Sequence, residues 1–298
     1  MPGNLYIVST PIGNLADMTP RGIKTLSEAD MIAAEDTRHS KALLTHFGIR
    51  TPLFSCHKFN EEKRGDFFIN GLLEGKNIAL ISDAGTPCIS DPGHRLVAMA
   101  AAAGVQVISV CGANAVSAAL SVSGFDVTRF VFLGFLPRVP KEQKAIFHML
   151  DGNNWPLVFY ESPLRITKTI TWLAEAYPTA DICLCNDLTK KFERVYRGTP
   201  AKTLAELQEN PNALKGEYTC VVRLNAGDAD IEEATEELSL EAQLVDIMAK
   251  QKCTLKDAAN ILHQNISGKG EHSNSSPPTK PNKKAIYAAT LRIKELFM

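Results

Sequence analysis

The sequence predicts an α/β fold in which a mostly parallel N-terminal sheet is joined to a second, mixed α+β part and then to a small helical C-terminal appendage. Three observations carry this. Strand-length apolar runs alternate with helix-like segments through the first half, the pattern of crossovers feeding a parallel sheet covered on both faces. In the second half two strand-like runs lie close enough in sequence for a hairpin. The composition then changes near residue 228, where the chain turns acidic.

In order, strands are predicted at Leu5 to Ser9, Met31 to Ala34, Leu53 to Ser55, Ile78 to Ser82 and Val105 to Val110. Between them Thr19 to Ala29, Arg38 to His46, Asn60 to Leu73 and Gly93 to Ala103 have one-sided helical spacing. Phe130 to Leu133 reads as a further strand, and Gly134-Phe135-Leu136-Pro137 as the turn where the chain leaves the first sheet. Strands follow at Leu157 to Tyr160, Asp181 to Asn186, Phe192 to Tyr196 and Tyr218 to Leu224, with helices at Leu164 to Ala176 and Pro200 to Gln208. Asp228 to Asp246 holds eight acidic residues and no Lys or Arg, the pattern of a solvated linker. Helices are expected at Leu238 to Lys250, at Thr254 to His263 with Thr254 as N-cap, and at Ala285 to Leu296. Ile266 to Lys284, rich in Gly, Ser, Asn and Pro, reads as a disordered insert. The expected domains are therefore 1–133, 134–227 and 228–298.

Composition narrows the function classes. A chain of 298 residues with 45% hydrophobic residues can bury a sizeable core. With 32 basic against 33 acidic residues it has no general polyanion-binding surface, so any nucleic acid must meet a local patch. No apolar run reaches the roughly 18 residues that span a bilayer, and Met1 to Ser9 lack a signal-peptide pattern. A soluble cytoplasmic protein is expected. The seven cysteines are scattered and never spaced C-x-x-C, which argues against a disulfide framework or a structural zinc site. Cys183 and Cys185, two apart in a strand, are expected on one face as buried thiols. No G-x-G-x-x-G follows the first strand, and Walker, H-E-x-x-H and G-x-S-x-G motifs are lacking, so dinucleotide enzymes, P-loop hydrolases, zinc proteases and α/β-hydrolases lose their usual support.

Four strand-end segments remain, where ligands of open α/β sheets gather. Thr10-Pro11-Ile12-Gly13-Asn14-Leu15 lets backbone approach a ligand, although ordinary turn chemistry explains it as well. Glu35-Asp36-Thr37-Arg38 offers two carboxylates and a guanidinium, or simply an acid-capped helix start. Ser82-Asp83-Ala84-Gly85-Thr86-Pro87 with Ser90-Asp91-Pro92-Gly93 cannot continue a strand and exposes free backbone groups suited to a polar ligand. Gly112-Ala113-Asn114-Ala115 opens a helix whose free N–H groups could receive an anion.

In this order, and together with Phe159-Tyr160-Glu161-Ser162-Pro163 and Leu188-Thr189-Lys190-Lys191-Phe192-Glu193, these segments resemble the tetrapyrrole methylase family, and within it the branch of small-subunit ribosomal RNA 2′-O-methyltransferases. The resemblance runs from Asn4 to Arg223 and returns in the tail. It implies a two-domain fold, a methyl transfer from S-adenosylmethionine in a cleft between two α/β parts, a homodimer and no metal. The implied acceptor is the ribose 2′-hydroxyl of a cytidine in 16S rRNA of the small ribosomal subunit. Carried over by motif, the cofactor contacts are Pro11, Ser82, Asp83, Ala84, Gly85, Asn114, Ala115, Tyr160, Glu161 and the Lys215-Gly216-Glu217 turn around Gly216, and the tail is implied to face RNA.

A sulfonium donor needs in-line placement above all, and a 2′-hydroxyl is helped by a proton acceptor. Asp36, Asp83 and Glu161 are the candidate catalytic carboxylates, and spacing does not choose among them. Lys190, Lys191, Arg194 and Arg197 lie within eight residues and, with Arg38, form the expected RNA-phosphate strip; a solvated edge strand is the other reading. The family's Pro-Gly-Pro-Ser-Ala appears here as Cys111-Gly112-Ala113-Asn114-Ala115, and the branch's Ala-Arg-Glu as Cys185-Asn186-Asp187. Two rival functions stand beside this one: a corrin-type tetrapyrrole methyltransferase, and a catalytically silent RNA-binding homologue.

Overall fold

The computed structural model describes residues 1–57, 61–150, 155–225 and 254–268, with helical positions 240, 244–245, 247–248, 286–287 and 289–290. Strands β1 (Asn4–Val8), β2 (Met31–Ala34), β3 (Leu53–Ser55), β4 (Ile78–Ile81) and β5 (Gln106–Val110) form one sheet in the order β3-β2-β4-β1-β5. Every pairing in it is parallel, as the alternating sequence pattern requires.

Helices α1 (Pro20–Glu28), α2 (Thr37–His46), α3 (Glu61–Leu73) and α4 (His94–Ala102) cover both faces. β2 and β4 are buried along their whole length, so their side chains divide between two cores. Ala33, Ile78 and Leu80 pack with Phe68 and Leu72 of α3 and Leu96 of α4. Ile32, Ala34, Ala79 and Ile81 pack with Leu26 of α1 and Leu44 of α2. The neighbouring strands β1 and β4 thus send their chains to opposite faces, which opens a crevice at their carboxyl ends. Local chemistry starts the helices where the sequence indicates: Thr19 accepts a hydrogen bond from Gly22 N at 3.0 Å ahead of Pro20.

Helix α5 (Ala115–Ser123) leads to the second sheet, built from β6 (Val131–Phe135), β7 (Leu157–Glu161), β8 (Asp181–Asn186), β9 (Arg194–Gly198) and β10 (Tyr218–Arg223) in the order β6-β7-β10-β8-β9. Only β6 and β7 run parallel; the other pairs, including the expected β8–β9 hairpin, are antiparallel. One face packs on α6 (Pro140–Leu150), α7 (Pro163–Ala176) and α8 (Pro200–Gln208) through Phe147, Phe159, Ile170 and Leu207. The other face packs on α5 through Val116, Leu120, Val158, Cys183, Cys185 and Val221. Cys183 and Cys185 do share that face, 3.9 Å apart and buried.

Several sequence expectations shift. The turn placed at Gly134 is strand: β6 runs on through Phe135, with an irregular register between Phe132 and Phe135 that absorbs the glycine. β9 begins two residues later than expected, because Phe192 is exposed on the hairpin rather than paired. Helix α6 was not anticipated; its amphipathic run follows the Pro-rich 137–140 segment. Contacts divide the chain into two compact units, Met1–Ala229 and Asp230–Met298. In the second, α9 (Leu255–Gly268) is capped by Thr254, whose hydroxyl accepts from Asp257 N at 3.3 Å. α9 therefore takes in 266–268, which composition assigned to the insert; the rest of that insert and the acidic stretch 228–239 lie outside the described residues. Leu244, Ala258, Leu262, Ile286 and Ala289 form this unit's core.

Phe147 is fully buried and meets Phe159, Trp172 and Tyr177 with ring centroids 4.9 to 6.1 Å away. Phe147→Ala is expected to cost about 3–5 kcal/mol, read as a lowered midpoint in urea unfolding. Met149→Ala, at an exposed position of the same helix, should change it by less than about 0.5 kcal/mol.

Candidate functional site

Three loops leave the carboxyl ends of β1, β4 and β5 and are stitched to one another. Thr10 and Gly85 exchange backbone hydrogen bonds, N to O, at 2.9 and 3.0 Å. The Ser9 and Thr86 hydroxyls meet at 2.9 Å, and Thr86 Oγ1 donates to the Ala113 carbonyl at 3.3 Å. Gly85 sits at φ +80°, and a β-carbon there would lie 3.3 Å from the Ile12 side chain. The turn therefore needs a residue at home in the left-handed region. Asn114 closes the third loop by capping α5, accepting from Ser117 N at 3.1 Å.

Opposite these loops stand the carboxyl end of β7 and the start of β10, paired through Glu161 with Tyr218 and Tyr160 with Thr219. The space between is a cleft of about 320 Å³. Of the residues expected to bind a cofactor, Ala84, Gly85, Asn114, Ala115, Tyr160 and Glu161 line it. Pro11, Ser82, Asp83 and Gly216 do not; Pro11 and Ser82 are buried behind the wall. The lining also includes Glu217, from the Lys215-Gly216-Glu217 turn that the resemblance implied, and Ile12, Ile89, Asp91, Phe135 and Leu188, which sequence reasoning did not assign to the cofactor. The apolar ones carry no chemical signature, and Phe135 reaches the cleft only because β6 continues past its expected end. Asp91 had a signal, its place in a Pro- and Gly-rich strand-end loop.

The three candidate carboxylates have different surroundings. Glu161 is buried; Oε1 accepts from Ser162 N at 2.9 Å, and Oε2 from Thr169 Oγ1 at 2.9 Å, with Arg165 at 3.3 Å. Asp36 caps α2 and pairs with Arg38 at 2.9 Å, which holds its carboxyl down at about 2. Asp83 Oδ1 accepts from Asp36 N at 3.1 Å; its other oxygen meets no donor among the described residues. Burial raises the carboxyls of Glu35 and Asp91, and the charge of Asp83 raises both further. The Tyr160 phenol is pushed up to about 12 by burial and by the nearby Asp91 charge.

The basic residues do not form one strip. Lys190 Nζ is held by Asp187 Oδ1 and Glu217 Oε2, each at 2.9 Å. It thereby ties the β8–β9 turn to the Gly216 turn. Gly216 lies at φ +82°, and a β-carbon there would strike the Asp187 carboxylate at 2.2 Å. Asn186 donates to the Glu217 carbonyl at 3.4 Å, so both polar residues of the altered Cys185-Asn186-Asp187 segment hold the cleft's rim. Arg194 and Arg197 fall on opposite faces of β9, since Tyr196 and Val195 between them enter different cores. Arg197 donates to the Val122 carbonyl at 2.7 Å. Lys191 lies over the exposed Phe192 ring, 5.6 Å from its centroid, and the Arg38 side chain is 90% exposed. Among the described residues no group of three or more His, Cys, Asp or Glu could hold a metal ion, and no helix is long and apolar enough to cross a membrane.

Comparison with known proteins gives a consistent assignment. The family described as Tetrapyrrole (Corrin/Porphyrin) Methylases matches residues 4–205. A protein of Halalkalibacterium halodurans named ribosomal RNA small subunit methyltransferase I is 44% identical over 231 residues, 78% of this chain and 79% of its own length. One of the same name from Haemophilus influenzae is 41% identical over 264 residues, covering 88% and 92%. Among solved structures, diphthine synthase superposes with a TM-score of 0.59 at 14% identity, over 75% of this chain and 92% of its own. A cobalt precorrin-4 methyltransferase does so with 0.55 at 16% identity, over 74% and 94%; both support the fold. The two-sheet architecture, the strand-end cleft and these matches converge: the chain belongs to the tetrapyrrole methylase family.

Proposed function

We propose that the chain transfers a methyl group from S-adenosylmethionine to the ribose 2′-hydroxyl of a cytidine in 16S rRNA of the small ribosomal subunit. The observation that carries this reading is the agreement of about 40% identity with proteins named for small-subunit rRNA methylation, spanning most of both chains, with an open cleft over the parallel strand ends. The donor fits the residues present. The cleft's volume of about 320 Å³ lies within the usual range of roughly 300–1,000 Å³, and Ile12, Ile89, Phe135 and Leu188 supply apolar walls. Gly85 leaves open the space beside Ile12 that a side chain would fill.

When bound, the donor supplies an electrophilic methyl carbon on a positively charged sulfur. The protein's task is placement: the stitched loops hold the donor's side of the cleft, and the β7–β10 edge faces it. Transfer forms an oxygen–carbon bond as the carbon–sulfur bond breaks, with the electron pair going to sulfur and the hydroxyl proton to an acceptor. Of the three candidate carboxylates, Asp36 and Glu161 have both oxygens engaged, which leaves Asp83; because Asp83 lies outside the cleft's lining, it would take that proton through a bridging water. The acceptor RNA is held by the exposed Lys191 and Arg194, together with Arg38, although its guanidinium also pairs with Asp36, whereas Lys190 serves the rim. A homodimer in the cytoplasm is the assembly and setting this reading implies.

The direct test incubates undermethylated small subunits with the protein and methyl-labelled donor. Label on a cytidine ribose of 16S rRNA is expected; label on a base, on another RNA or on a tetrapyrrole overturns the acceptor. Asp83→Ala should weaken donor binding about tenfold in calorimetry, since it frees the Asp36 N–H and loosens the loop; an unchanged isotherm would place that loop elsewhere. Replacing Lys191 and Arg194 together by Ala should weaken RNA binding and flatten its salt dependence by up to about two counterions, with donor affinity intact. Lys190→Ala should instead lower donor affinity.

A further inference from the structure

We propose that Asp91 provides the countercharge by which the cleft tells a cationic methyl donor from its neutral demethylated product; this rests on the S-adenosylmethionine reading above. Three carboxylates line the cleft, those of Asp91, Glu161 and Glu217. Glu161 is committed to Ser162, Thr169 and Arg165, and Glu217 to Lys190. Asp91 makes no ion pair among the described residues. Its polar neighbour is the Ser82 hydroxyl, and the ionisable groups that influence it or feel its charge are Asp83, Glu35 and the Tyr160 phenol. All of these are acids.

A half-buried anion beside Ile89, Phe135 and Tyr160, with further acids behind it and no ion-pair partner among the described residues, is costly to hold. Burial accordingly pushes its carboxyl upward. A positive charge brought into the cleft relieves that cost. S-Adenosylmethionine carries it on the sulfonium; S-adenosylhomocysteine keeps the adenosine, the amine and the carboxylate but has a neutral thioether. A carboxylate placed near the sulfur therefore favours the donor and leaves the product easily displaced. A carboxylate near the amine would favour both alike.

Calorimetry on the full chain separates these cases, with S-adenosylmethionine and S-adenosylhomocysteine titrated into wild type and Asp91→Asn at neutral pH. Asn keeps the shape and can still accept from Ser82, and the homocysteine isotherm reports whether the cleft is intact. Wild type is expected to bind the donor more tightly than the product. Asp91→Asn should lose about tenfold in donor affinity and stay within about twofold for the product, removing the preference. Equal losses for both ligands, or no loss for either, overturn the role given to Asp91. A wild-type chain that binds neither ligand would instead remove the donor reading itself, and the proposal with it.

Discussion

The cleft depends on how the parallel strands are tied off. A parallel sheet sends all its carboxyl ends to one edge, and the chain beyond each strand must satisfy its backbone groups without ladder partners. Here the loops after β1 and β4 satisfy each other through the Thr10–Gly85 exchange, and Thr86 ties in the loop after β5. The bridge holds the two loops together while their outer faces remain open to a ligand. α1 and α4 pack on opposite faces of the sheet, so neither of them closes over this edge.

The second sheet supplies the facing wall by a different device. There the adjoining ends of antiparallel β7 and β10 bring Tyr160, Glu161, Tyr218 and Thr219 side by side. Lys190, caught between Asp187 and Glu217, fixes the turns that flank them. Charge is distributed unevenly across the site. Glu161 is neutralised within the wall and Asp36 by its own helix, while Asp83, Glu35 and Asp91 gather behind and within the first wall. That uncompensated negative side suits a ligand bearing positive charge.

Much of the architecture was legible in the sequence because it rests on local signals. β2, β3, β8 and α8 fall within their expected limits, since apolar periodicity and a capping Thr or Pro define them without tertiary help. The errors have physical causes. Gly134 reads as a turn in sequence, yet β7 draws it into an irregular strand. Helix α6 depends on Phe147 finding a pocket among rings from β7 and α7, which no local pattern reveals.

Within the site the legible part was the set of strand-end loops, whose Pro and Gly content forces the backbone to wander. Illegible were the apolar lining residues, and also Lys190, whose partner Glu217 is 27 positions away. Four basic residues close in sequence suggested a single phosphate strip, but strand alternation and that long-range ion pair divide them.

The most direct measurement is a crystal structure of the full chain with S-adenosylmethionine bound. The account predicts density between the Ala84–Gly85 loop and the Tyr160–Thr219 edge, with the sulfur beside Asp91. An empty cleft with the ligand elsewhere, for instance in the groove formed by Arg129, Trp155 and Arg223, would contradict it.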